Sequence, residues 1–207
     1  MKEIRVHARA GQGAITTANL LGAAIFAEGR YALTFPHFGA ARMGAPMNAF
    51  IRVDDSEIRL RTQVEEPDYV LVVDSTLMRG FNVFSGMKEG GIALVNEKEG
   101  VPMPSVDHAK VYSIPANDIA MEIIGRPLGN TTLLGAFSAA TGELELEHLE
   151  TAILNQFAAK AGVGEKNVQA ARRGFNYFKE NYKHACTHYS KTRHQPAEPN
   201  RFVADHE

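Results

Sequence analysis

Residues 4–16 run Ile4, Arg5, Val6, His7, Ala8, Arg9, Ala10, Gly11, Gln12, Gly13, Ala14, Ile15, Thr16, and they constrain the fold more than any other stretch. A short alternating strand (Ile4, Val6) turns at Gly11 and Gly13 and passes at once into an almost wholly apolar helix. Two closely spaced glycines allow the sharp turn and let backbone N–H groups approach a ligand or a neighbouring chain. The helix start behind them carries partial positive charge, which favours an anion. Such an opening begins an open α/β sheet, where ligands bind at the C-terminal ends of strands. It is not a full dinucleotide fingerprint. The third glycine is missing, and Thr34 and Phe35 stand where an acidic residue would read a ribose. A tight strand-to-helix connection with no ligand explains the same residues equally well.

The rest of the chain alternates in the same way. The first helix is expected over Ala14–Ala27, apolar on nearly every side and ended by Gly29. Tyr31–Phe35 reads as a strand and residues 36–46 as a loop. Met47–Val53 and Glu57–Arg61, joined by a turn at Asp54, Asp55 and Ser56, read as an antiparallel hairpin inserted into the βα pattern. Tyr69–Val73 and Ile92–Val95 are continuous apolar runs, as in strands covered on both faces. Val111–Ile114 is a further strand, with Asn117 or Asp118 capping the helix after it. Helices follow over Thr131–Ala140, Leu146–Ala159 and Glu165–Tyr182. The expected fold is α/β, an open, mostly parallel twisted sheet with helices on both faces and an antiparallel hairpin insertion. Residues 1–183 form one domain. Residues 184–207, rich in His, Pro and charge, form a tail that is disordered or extended on a partner subunit.

Composition excludes several roles. A net charge of −2 gives no general attraction to nucleic acid or to an anionic membrane. No apolar run approaches the roughly 20 residues of a spanning helix, and Met1 leads directly into a charged strand, so a cytoplasmic protein is expected. Cys186 is the only cysteine, so the chain cannot hold by itself an iron–sulfur cluster that needs about four thiolates. With His184 and His188 it fits no compact four-ligand pattern, and no metal site is expected. No Ser–His–Asp spacing or paired carboxylates stand out, so no catalytic residue is assigned to this chain alone. His7 and His37 are each read either as structural or as ligand contacts.

Two further loops stand out. Phe35, Pro36, His37, Phe38, Gly39 and then Arg42, Met43, Gly44, Ala45, Pro46 form a long connection whose apolar residues need cover. It meets a partner or folds back on its own sheet. Asn130, Thr131, Thr132, Leu133, Leu134, Gly135 and Ala136 begin a small-sided, uncharged helix, with Asn130 as its cap. That helix is central to its own domain or to an assembly.

Taken in order, His7–Gly13, Phe35–Gly39 with Arg42–Pro46, Glu66–Val70 with Asp74, and Asn130–Ala136 resemble the gamma subunit of the 2-oxoacid:acceptor oxidoreductases, of which pyruvate:ferredoxin oxidoreductase is the best known. The resemblance spans roughly residues 3–180. It departs at Ala8 and Ala10, where the family usually has glycine, and at Met43, where it usually has arginine. The resemblance implies a complex whose alpha and beta subunits bind thiamine diphosphate and Mg²⁺. A ferredoxin-like subunit carries [4Fe-4S] clusters, and coenzyme A takes the acyl group. The complex decarboxylates pyruvate or, as the alternative, an aryl or other small 2-oxoacid such as phenylglyoxylate, oxalate or 2-oxoglutarate. In that reading Arg9, Gly11, Gln12 and Gly13 contact coenzyme A or another anion, and this chain holds no cofactor alone. His37, Phe38, Arg42, Gly44, Pro46, Asn130, Thr131 and Gly135 then face partner subunits. Two other readings stay open, a stand-alone nucleotide- or flavin-binding oxidoreductase and a non-catalytic assembly module.

Overall fold

The computed structural model describes residues 1–37 and 43–183. Six strands form one open sheet: β1 (Lys2–Arg9), β2 (Tyr31–His37), β3 (Pro46–Asp54), β4 (Tyr69–Val72), β5 (Gly91–Asn96) and β6 (Ala109–Ile114). Their spatial order is β2-β3-β1-β4-β5-β6. The half from β1 through β4 and β5 to β6 is parallel, whereas β3 runs antiparallel to both β1 and β2. Five helices complete the fold: α1 (Ala14–Ala27), α2 (Ala116–Ile124), α3 (Asn130–Thr141), α4 (Leu146–Gln156) and α5 (Val163–Asn181).

Strand alternation sorts the sheet into two faces. Ile4, Val6, Ala49, Ile51, Leu71 and Leu94 point to the first face and pack under α1, α3, α4 and α5. Val70, Val72, Ala93 and Val95 point to the second, where a single 3-10 turn (Ser75–Arg79) and the segment reaching Met87 cover them through Leu77, Val83, Phe84 and Met87. All the long helices thus share one face, and the second face has only the short helical turn. Around β1 and β3 that second face is mostly polar, carrying Glu3, Arg5, His7, Asn48 and Arg52 around the buried Phe50.

Helix α3 lies at the centre of the domain, and ten of its twelve residues are buried. It crosses α5 at backbone contact. A Cβ on Gly135 would stand 1.9 Å from the Ala171 carbonyl oxygen, and one on Gly174 would stand 2.0 Å from that of Thr132. Gly135 therefore serves this internal crossing and is not available to a partner subunit. Gly135→Ala is expected to cost about 3 kcal/mol by forcing the two helices apart. A thermal melt of the purified variant checks it, and an unchanged midpoint contradicts the crossing.

Three expectations are corrected. Glu57–Arg61 is not a strand. The antiparallel hairpin is β2–β3, with Tyr31 opposite Asp54 and His37 opposite Asn48. The helices expected on both faces lie on one: α1–α5 pack on the first face, with only the 3-10 turn on the second. Helix α2 starts after Pro115, and Asn117 does not cap it; the Asn117 side chain instead accepts from the Gly129 amide at 3.1 Å.

Candidate functional site

The motifs that stand apart in the sequence meet at the C-terminal end of β1. Gly13 holds a left-handed conformation (φ 80°) and precedes α1 with no side-chain cap. Gly11 is also left-handed (φ 94°), and a Cβ there would stand 2.7 Å from the sulfur of Met43. The second loop clasps the first: the Ala10 amide donates to Ala45 O at 2.8 Å and the Gly44 amide to Ala10 O at 3.1 Å. The third loop arrives through Asn130. Its Nδ2 donates to Gln12 O at 2.9 Å, to Gly13 O at 3.3 Å and to Thr17 Oγ1 at 2.7 Å. Asn130 thus does not cap its own helix, which begins after Gly129. It closes the turn before α1.

Asp74, at the end of β4, fastens the same cluster from beneath. Its carboxylate accepts from Gln12 Nε2 at 2.7 Å and from the amide and hydroxyl of Thr76, and it pairs with Arg9 Nε at 3.2 Å. Burial pushes the Asp74 carboxyl upward, but Thr76, Gln12 and Arg9 together outweigh it and hold it below its usual value. A depressed carboxyl stabilises the fold above its unfolded pKa, and that contribution is lost as pH falls through the folded pKa. Asp74→Asn is therefore expected to lose less melting temperature than the wild type on going from pH 7 to pH 3. Parallel melts at the two pH values test this.

Arg9 is the first-loop residue whose expected role changes. Its guanidinium is occupied by Asp74, by Thr76 Oγ1 and by Gly44 O at 3.1 Å, so it braces the loops and does not reach for a ligand. Thr131 is likewise turned inward, its hydroxyl donating to Asn167 Oδ1 at 3.0 Å. His37 and Pro46 are exposed at the ends of their strands, and Gly44 is half-buried in the clasp. Phe38, Arg42 and the 184–207 tail lie outside the described residues.

Beside the loop cluster is a cavity of about 670 Å³. The starts of α1, α3 and α5 all line it, through Gly11–Gly13, Asn130 and Thr131, and Gly162 and Val163. None of the three helices has a side-chain cap. Their first-turn N–H groups lack intrahelical acceptors, and their dipoles add on one space. Arg126, Lys160 and Lys166 stand around it, exposed, and none forms an ion pair among the described residues. Open helix starts and three cations without an ion pair among the described residues give this cavity a positive field. Reading the sequence finds Gly11, Gln12 and Gly13 but misses these cations. The available signal was Gly162 with Lys160 and Lys166 on either side of a helix start.

Fold and cavity define an open α/β domain with a positively charged cavity beside the loop that follows β1. Comparison with known proteins narrows the class. The family profile for pyruvate ferredoxin/flavodoxin oxidoreductase matches residues 3–177. The "Pyruvate/ketoisovalerate oxidoreductases common subunit gamma" of Thermococcus litoralis is 45% identical over 179 residues, covering 84% of this chain and 96% of the relative. The crystal structure of pyruvate oxidoreductase subunit PORC from Thermotoga maritima is similar with a TM-score of 0.73 at 39% identity, covering 84% of this chain and 95% of that one. The 2-oxoglutarate:ferredoxin oxidoreductase of Magnetococcus marinus shares the fold alone, with a TM-score of 0.73 at 21% identity, over 86% of this chain and 31% of that one. The chain belongs to the pyruvate ferredoxin/flavodoxin oxidoreductase family. Within that family it is a gamma-type subunit, one part of a multi-subunit oxidoreductase.

Proposed function

We propose that this subunit works in a complex that oxidatively decarboxylates pyruvate and passes the acyl group to coenzyme A, and that its cavity holds the phosphates of coenzyme A. The observation that carries the reading is the convergence of three uncapped helix starts with Arg126, Lys160 and Lys166 on one space. Coenzyme A carries several phosphate charges, and its pyrophosphate suits donors arriving from more than one helix. Gly11, Gln12 and Gly13 supply the backbone edge of that site, and Arg9 holds them in place. Partner subunits supply the thiamine diphosphate, Mg²⁺ and [4Fe-4S] clusters. One cysteine in the whole chain leaves no thiolate set for a cluster here. Among the described residues no helix is long and apolar enough to cross a membrane, and we place the complex in the cytoplasm.

The Thermococcus litoralis relative is named for two oxidoreductases, of pyruvate and of ketoisovalerate. A subunit shared in that way leaves the choice of 2-oxoacid to its companions. In this complex His37, Phe38, Arg42, Gly44 and Pro46 form the contact with the thiamine-binding alpha and beta subunits. Affinity purification of the tagged full chain from its native host tests the assembly. Thiamine-binding and iron–sulfur subunits are expected to co-purify, and Arg42→Glu to reduce their yield. A solitary chain with a flavin absorption band overturns the reading, as does full pyruvate turnover by a complex reconstituted without this chain.

A further inference from the structure

We infer that a second cavity, on the opposite face of the sheet, is a carboxylate-binding site built on Arg5 and His7 of β1. This cavity, of about 530 Å³, is lined by both residues and by Asn48, Gln63 and Phe81, with His37 at the β2 side. Arg5 is 9% exposed. Its terminal nitrogens donate to Val64 O at 3.2 Å, to Val83 O at 3.3 Å and to Ser85 O. Its Nε–H is buried and finds no partner, and Arg5 forms no ion pair among the described residues. The neighbouring buried cation differs: Arg52, 1% exposed, is neutralised by Glu3 at 2.8 Å. A guanidinium buried without a counter-charge is strongly unfavourable, so the unpaired Arg5 marks a place for an anion.

His7 stands two residues along on the same face, and its buried Nε2 also lacks a partner. Burial first, and then the like charge of Arg5, push its imidazole down to about 4, while the Val83 backbone and the Asn48 side chain act the other way. The ring is therefore neutral near pH 7 and has a single N–H, for which the Val83 backbone and the Asn48 side chain are the neighbouring acceptors. The unpartnered Arg5 Nε–H and His7 Nε2 belong to residues that line one cavity, and a carboxylate would take the first as a donor and the second once the ring carries its proton on Nε2. A single negative charge balances the single unpaired cation, where a phosphate dianion would exceed it. Glu65 also lines the cavity, yet it is exposed and does not pair with Arg5. The carboxylate comes from a free organic acid or from an aspartate or glutamate of another subunit. Only the second source rests on the assembly proposed above.

The test follows the His7 ring by carbon-edited NMR in the full chain, labelled at histidine, at constant ionic strength. Acetate, pyruvate and succinate are added in turn, with chloride as control. The expected result is a saturable shift of the His7 signal and a rise of its pKa by about one unit or more. Arg5→Gln is expected to weaken binding about tenfold or more. Should that variant fail to fold, His7→Phe, which keeps the ring volume and removes the N–H, is expected to abolish the saturable binding, read for this variant by equilibrium dialysis of labelled succinate. Equilibrium dialysis of labelled succinate on the assembled complex separates the sources. One bound equivalent lost in the His7→Phe complex assigns the site to a free acid. No difference there, with a His7 shift on assembly, assigns it to a partner carboxylate. A His7 signal unmoved by acids and by assembly overturns the inference, and so does acid binding that both variants leave intact.

Discussion

Arg52→Ala is expected to lower stability by about 3–5 kcal/mol, the usual cost of breaking a buried ion pair from one side. In a domain of this size that is a fall in melting temperature of about 6–20 °C. The reason is the number of groups left stranded. Arg52 Nε donates to Glu3 at 2.8 Å, and its terminal nitrogens donate to Leu60 O at 2.9 Å, Thr62 O at 2.7 Å and Gln63 O at 3.3 Å. Calorimetry on the full chain reads the effect directly. A loss below about 1 kcal/mol would show that water replaces these bonds without penalty, as it does at an exposed pair.

Arg126→Glu combined with Lys160→Glu is expected to raise the KM for coenzyme A about a hundredfold in the assembled complex. Each reversal removes a charge-assisted contact worth roughly a tenfold change in affinity. Both side chains are exposed and unpaired among the described residues, so the melting temperature should stay close to the wild-type value. The KM for pyruvate should also be unaffected. Equal losses for both substrates would point to a damaged assembly, and an unchanged KM for coenzyme A would remove the cavity from the reaction.

These two variants mark what the sequence makes legible. Helix α1 is found at its true bounds because Gly13 sets its start and Gly29 follows its end, both local signals. The parallel strands β4 and β5 are legible as unbroken apolar runs. The hairpin at Glu57–Arg61 is misread because alternating Ile58 and Leu60 imitate a strand. Leu60 is instead 46% exposed, and its carbonyl goes to Arg52. Nothing in the residue pattern distinguishes an arginine that donates to three carbonyls of the following segment from one at the surface. The site divides in the same way. Gly11, Gln12 and Gly13 lie together in the chain and are found together. Arg126, Lys160 and Lys166 lie far from them in sequence and join them only when α5 folds back on α3. Asn130 is noticed for the wrong reason, as the cap of its own helix, because the turn it closes lies 117 residues away.

Residues 60–64 hang from the sheet by the guanidinium groups of Arg5 and Arg52, not by a ladder. Such a strap can peel away without unzipping a single strand. Its own amides should then take up deuterium quickly while those of β1 and β3 beneath stay protected. The second-face cavity thus has one wall, residues 63–65, that is tied to β1 and β3 through the side chains of Arg5 and Arg52.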